Sequence, residues 1–320
     1  MMSGKGASGG PADGGRRGEG AAEIEVLAAR PGSVGRATVQ RLLPKRQHRM
    51  VGAWCFADYL APLAVAPGSG LDVGPHPHIG LHTLTWLFEG EARHRDSLGS
   101  DQLLRPGQVN LMTAGRGVVH SEEASPRYRG VLEGVQLWIA QPDQTRHGAA
   151  AFCHHEALPT LSAAGGRAIV LVGTLGEVTS PVVVDSALVG ADLALGVGRS
   201  AWPLAPGFEH ALLVLRGSVH VPGGAVPAGR IAFLPQGGDE LVCQADEPSR
   251  ALLLGGEPFG TAVLMWWNYV ARTPAEIEAA HASWSAQDGR FGRVESALAR
   301  IAGPARPVLG APTGSRAARR

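Results

Sequence analysis

Two pairs of glycines recur at equal spacing in this chain, and the recurrence limits the fold more than any other feature. Gly80 and Gly90 bound GLHTLTWLFEG, and Gly207 and Gly217 bound GFEHALLVLRG, ten residues apart in both cases. Gly107 and Gly115 frame QVNLMTA, as Gly229 and Gly237 frame RIAFLPQ, with Pro106 and Pro227 standing just before each second frame. Matched strand–turn–strand units imply two copies of one β unit. A closed barrel or sandwich is their natural shape, because closure leaves few exposed sheet edges.

The segments between turns support this. Ile24–Leu27, Thr83–Phe88, Val109–Met112, Val135–Ile139, Ala168–Val172, Ala211–Leu215, Ile231–Leu234 and Leu252–Leu254 are short, aliphatic or β-branched, and bounded by Gly or Pro. The chain holds 45 Gly and 23 Pro in 320 residues, which disfavours a helical bundle, since neither residue is tolerated inside helices. One helix is signalled at Thr273-Pro274-Ala275-Glu276, where Thr273 and Glu276 form a capping box and Pro274 suits the first turn. Ile277, Ala280, His281 and Trp284 then give it one apolar stripe. A weaker helical pattern runs over residues 291–301, and the Trp266–Trp267 pair reads as core of the second unit.

The expected organisation is a tail over residues 1–22, a first barrel over 23–145, a second barrel with helices over 146–302, and a basic tail over 303–320. Both tails are Gly/Ala-rich with little to bury, which predicts disorder. A net charge of +1 provides no field to steer nucleic acid or an anionic membrane, so neither partner is expected. No apolar run reaches membrane-spanning length, and the opening residues lack the apolar stretch of a secretory signal. Cys55, Cys153 and Cys243 are odd in number and widely separated, which favours a reduced, cytoplasmic setting, and Cys55 and Cys153 read as inert small apolar residues.

Histidine carries the chemistry. Five of the twelve His fall between positions 76 and 120. His76-Pro77-His78 puts two imidazoles at i and i+2, on one face of a strand. His120-Ser121-Glu122 repeats that spacing with a second pair of ligand type. If both pairs face one barrel interior, they supply three nitrogens and a carboxylate oxygen. Such a set suits Fe(II), Mn(II), Cu(II) or Ni(II), and suits structural zinc poorly. Aligning the glycine frames sets Pro203, Ala205, Val242 and Gln244 opposite the four, so the second copy keeps the scaffold without the ligands. His82 and His94 read as strand or pocket residues. Arg95, Asp96 and Arg116 read as turn or supporting polar groups.

The stretch HPHIGLHTLTWLFEGEARHRDSLGSDQLLRPGQVNLMTAGRGVVHSE, residues 76–122, resembles the signature region of the pirins, within the cupin superfamily. The segments GVQLWI (134–139), LLGGEP (253–258) and NYVARTPAEI (268–277) are similar to pirin segments as well, so the resemblance covers about residues 25–290. It implies an all-β chain of two tandem cupin-type barrels, a bicupin, with a short C-terminal helical segment. It also implies one divalent metal in the first barrel, iron foremost, with Mn, Cu, Ni or Zn as alternatives. Carried over position by position, the three-His, one-Glu set falls on His76, His78, His120 and Glu122. The chain departs from the common HPHRGFET pattern, with Ile79 for Arg, Leu81 for Phe and His82 for Glu. That departure leaves the metal site intact and removes any ready inference of substrate.

Two function classes follow from the resemblance. One is a quercetin 2,3-dioxygenase-like enzyme, which takes a flavonol-type enolic small molecule and dioxygen, with Glu122 both ligand and acceptor of the substrate proton. The alternative is a non-enzymatic, redox-sensitive iron protein that regulates a protein partner. A sugar- or small-molecule-binding cupin with a vestigial metal site is the blandest option.

Overall fold

The glycine frames are turn points. Seven of their eight glycines adopt positive φ, Gly207 being the exception. At Gly80 a Cβ would stand 2.2 Å from the Val270 carbonyl oxygen, so neither backbone nor space admits a larger residue. The computed structural model describes residues 24–305; residues 1–23 and 306–320, which take in the whole of the first expected tail and all but 303–305 of the second, lie outside it.

The chain begins with β1 (Glu25–Ala28), β2 (Arg30–Val34), β3 (Ala37–Leu43), β4 (Trp54–Val65), β5 (Val73–His78) and β6 (Leu81–Glu89). It continues through β7 (Ala92–Asp96), β8 (Asp101–Leu104), β9 (Val109–Thr113), β10 (Val118–Ala124), β11 (Gly130–Ala140) and β12 (Ala151–His155). The second half opens with β13 (Thr160–Ala163), β14 (Gly166–Leu175), β15 (Val178–Thr179), β16 (Leu188–Leu195), β17 (Gly198–Pro203), β18 (Glu209–Arg216) and β19 (Ser218–Val221). It closes with β20 (Gly224–Pro227), β21 (Arg230–Leu234), β22 (Glu240–Ala245), β23 (Ser249–Gly256), β24 (Leu264–Trp266), β25 (Tyr269–Ala271) and α1 (Pro274–Ala286). Every segment expected as strand lies within or against one of these strands.

The halves repeat strand for strand. One large sheet runs β12-β9-β6-β11-β4-β3-β2 and its counterpart runs β1-β21-β18-β23-β16-β14-β13. Each faces a four-stranded sheet, β5-β10-β7-β8 in the first half and β17-β22-β19-β20 in the second. The framed strands pair in the same register, Thr83 opposite Met112 and His210 opposite Leu234. The outermost strand of each large sheet comes from across the repeat: β1 pairs with β21, and β12 pairs with β9.

The central strands of the large sheets are buried on both faces, as the burial of nearly every residue of β16 and β23 shows. One face lines its own barrel and the other packs against the opposite half, where Trp54, Leu84 and Leu137 meet Leu171, Leu213 and Leu252. Trp54 Nε1–H points toward both the Val189 and Gly255 carbonyls at 3.1 Å, tying the halves together. Inside the second barrel Trp202, Leu193, Leu212, Val214 and Leu253 fill the space.

Register corrects the alignment of the missing ligands. In β17 and β22 the inward residues are Ser200, Trp202, Leu241 and Cys243, all buried, while Pro203 and Gln244 are exposed. The glycine frames are thus offset by one residue here, and a one-residue slip exchanges the two faces of a strand. The inward set still contains no His and no carboxylate.

Helix α1 begins as expected, with Thr273 Oγ1 accepting from Glu276 N–H and Glu276 accepting from the Thr273 amide. Residues 291–301 are not helical. Gln287 ends α1 in a left-handed conformation and Gly289 and Gly292 adopt φ of 97° and 73°. The chain then bonds to the first barrel, with Ile301 N–H donating to Pro75 O and Arg95 to Glu295 O. Among the described residues no helix is long and apolar enough to cross a membrane.

Candidate metal centre

β5 and β10 are antiparallel neighbours with His76 directly opposite His120. Alternation brings His78 to the same face as His76, so three imidazoles converge inside the first barrel. All three are buried, and each offers a nitrogen within 4.8 Å of the others. His78 Nε2 lies 3.0 Å from His120 Nε2, and the His76 and His120 ring centres are 4.3 Å apart.

Their outer nitrogens determine which atoms face the centre. His76 Nδ1–H donates to Gly74 O at 2.9 Å, and His78 Nδ1–H donates to Asn268 O at 3.0 Å. His94 Nε2–H donates to Asp96 at 3.0 Å, leaving its Nδ1 to accept from His120 Nδ1–H at 3.4 Å. A neutral imidazole carries one proton, so Nε2 of His76, His78 and His120 is left as a lone pair. Burial holds the His78 and His120 imidazoles well below their usual pKa and pushes His76 down to about 4. Two Nε2 lone pairs 3.0 Å apart have no proton between them to share, and a cation satisfies both.

Glu122 follows on β10 beyond a register shift, where its partner on β5 becomes Val73. It lines the same cavity but stands outside the three-His group. Burial pushes its carboxyl up to about 7, a penalty that a nearby cation would offset. Asp96, which burial alone would raise, is held below the usual carboxylate range by His94 and the Ser100 and Leu98 amides.

The cavity measures about 420 Å³. Phe56 and Trp138 stack along one wall at 4.2 Å, and Trp138 meets His78 edge-on at 5.3 Å. The Arg41 guanidinium lies 4.6 Å from the Phe56 ring centre and is clamped to Asp58 by two hydrogen bonds. Thr83 and Gln136 add polar groups, and Trp267, Asn268 and Ile301 close the cavity from the C-terminal segment.

The structure therefore brings together three of the four residues singled out as ligands and places the fourth in the same cavity wall. His82 is buried elsewhere, bonded to Thr113 and Asp185. His94 stacks on Phe152 of β12 at 4.5 Å and backs His120. Arg41, Asp58, Phe56 and Trp138 were not legible as site residues, because their types are common in any core or surface. Asn268 contributes only a carbonyl, which leaves no mark in a sequence. Trp267 belongs to this cavity and not to the interior of the second barrel.

The family described as Pirin matches residues 36–139, and the Pirin C-terminal cupin domain matches residues 191–292. A Pseudomonas aeruginosa protein provisionally named quercetin 2,3-dioxygenase is 46% identical over 275 residues, covering 85% of this chain and 87% of that protein. A pirin-like protein of Caulobacter vibrioides is 40% identical over 269 residues, covering 82% of this chain and 92% of its own length. The crystal structure of a quercetin 2,3-dioxygenase from Acinetobacter baumannii superposes with a TM-score of 0.87 at 43% identity, covering 91% of this chain and 98% of that one.

Proposed function

The chain belongs to the pirin family, and from that premise we propose that it is a metal-dependent dioxygenase acting on a flavonol-type enolic substrate. The observation that carries this reading is the convergence of three buried Nε2 lone pairs in a cavity with a flat aromatic wall. The name of the similar Acinetobacter enzyme points to the same chemistry. We assign His76, His78, His120 and Glu122 as ligands of one divalent metal, with Fe(II) as the first candidate. We take residues 23–145 as the metal-bearing unit and residues 146–302 as its metal-free copy, with β1 and β12 exchanged between them. The unpaired thiols of Cys55, Cys153 and Cys243 accord with a reducing cytoplasm.

A bound divalent metal supplies Lewis acidity that makes a coordinating enol a stronger acid. The protein's own groups do the rest. Phe56 and Trp138 hold the planar rings of the substrate against one wall. Glu122, whose carboxyl burial makes a better base, accepts the enol proton at a carboxylate oxygen. His94 and Asp96 keep the His120 ring in the tautomer that leaves Nε2 free.

The test is an aerobic assay of the iron-loaded protein with quercetin, following loss of the flavonol absorbance. The proposal expects turnover that depends on the metal. Absence of turnover with iron, manganese, copper and nickel in turn would remove the flavonol assignment.

A further inference from the structure

The segment after the second barrel crosses to the first. β24 and β25 form a hairpin with Trp266 opposite Tyr269, so its two-residue turn is Trp267–Asn268. Val270 N–H donates to Ile79 O at 3.1 Å, seating the hairpin beside the end of β5. The turn then reaches the metal cavity twice. The Asn268 carbonyl accepts His78 Nδ1–H at 3.0 Å, and Trp267 forms part of the cavity wall.

Trp267 has φ of 53°, a left-handed conformation that bulky residues rarely adopt. Such a backbone persists where its surroundings dictate it. Here the indole is wedged among aromatic rings, 5.4 Å from Tyr269, 6.3 Å from His281 and 6.5 Å from Trp284. The carbonyl of the residue that follows, Asn268, points inward to His78. His78 needs that carbonyl, because a proton fixed on Nδ1 is what presents Nε2 as a lone pair.

We infer that the Trp267–Asn268 turn is a positioning element of the metal centre, in which the left-handed backbone at Trp267 aims the Asn268 carbonyl at His78 and thereby fixes the tautomer and ring plane used for metal binding. The inference rests on the three-His reading of the site. It makes the C-terminal segment part of the centre, although every ligand candidate lies in the first barrel.

Two variants of nearly equal size separate backbone from side chain. Trp267→Asn and Trp267→Val both remove the indole, but Asn tolerates the left-handed conformation and β-branched Val opposes it. The metal-free full chain is titrated with Co(II), reading affinity and the visible d–d spectrum. The Asn variant is expected to keep the wild-type spectrum and to bind within about threefold, while Val weakens binding by about tenfold or more and shifts the spectrum. Equal behaviour of the two variants, whether both strong or both weak, overturns the inference. Failure of the wild-type chain to bind Co(II) would instead sink the metal reading beneath it. If the Val variant does not fold, Trp267→Gly against Trp267→Ala makes the same comparison with milder opposition.

Discussion

His120 is held by a short chain of groups, and each link is a separate residue. Asp96, anchored by the Leu98 and Ser100 amides, accepts from His94, and His94 in turn accepts from His120. Replacing His94 by Phe keeps the stack on Phe152 and removes the acceptor. Metal affinity is then expected to fall about 10- to 100-fold, measured by competition with a chelator of known affinity. Unchanged affinity would show that His94 merely packs. At this scale the ligand types and their i, i+2 spacing were legible in the sequence. The chain of partners was not, since His94 and Asp96 lie on β7 and meet β10 only through sheet pairing.

His210 gives a residue-level test away from the metal. It occupies the register position of Thr83, is buried in the second half, and its Nε2 has no hydrogen-bond partner. Burial lowers its pKa to about 4, below the roughly 6.5 of an unfolded His. The folded state therefore holds fewer protons than the unfolded one between those values, and stability falls as pH drops through that window. Above the unfolded value the effect vanishes. A His210→Gln variant is expected to lose less melting temperature than the wild type between pH 7 and pH 4.5, and an equal loss in both would contradict the assignment.

Elements explain where sequence reading succeeded and where it slipped. Helix α1 was legible because its start is local: Thr273, Pro274 and Glu276 sit within one turn. Thr273→Ala is expected to lower stability by about 1 kcal/mol in chemical denaturation. The pattern at 291–301 misled because Gly289 and Gly292 break the helix and the barrel supplies the hydrogen-bond partners. The glycine frames fixed the pairing of the framed strands but not of β17 and β22, where one residue of offset reverses the faces. Trp202, not Pro203, consequently points into the second barrel, and its indole fills space that imidazoles occupy in the first.

Across the whole molecule the two barrels pack against each other. The large sheets share a single apolar interface, the outer strands β1 and β12 are exchanged, and the C-terminal segment returns to close the metal cavity. A fragment of residues 24–145 lacks β12, the C-terminal segment and the partner sheet, and so exposes the face around Trp54, Leu84 and Leu137. It is expected to be insoluble or to bind a hydrophobic dye, whereas the full chain unfolds in one transition. None of this exchange was legible in sequence, because strand pairing between distant segments leaves no local pattern.

The claim that one metal resides in the first barrel alone meets its most direct test in metal analysis of protein purified without oxygen. The wild-type chain is expected to carry about one divalent metal, His78→Ala well under half of that, and His210→Ala the wild-type amount. A metal-free wild-type chain, or a His78→Ala variant with full metal content, would contradict the account.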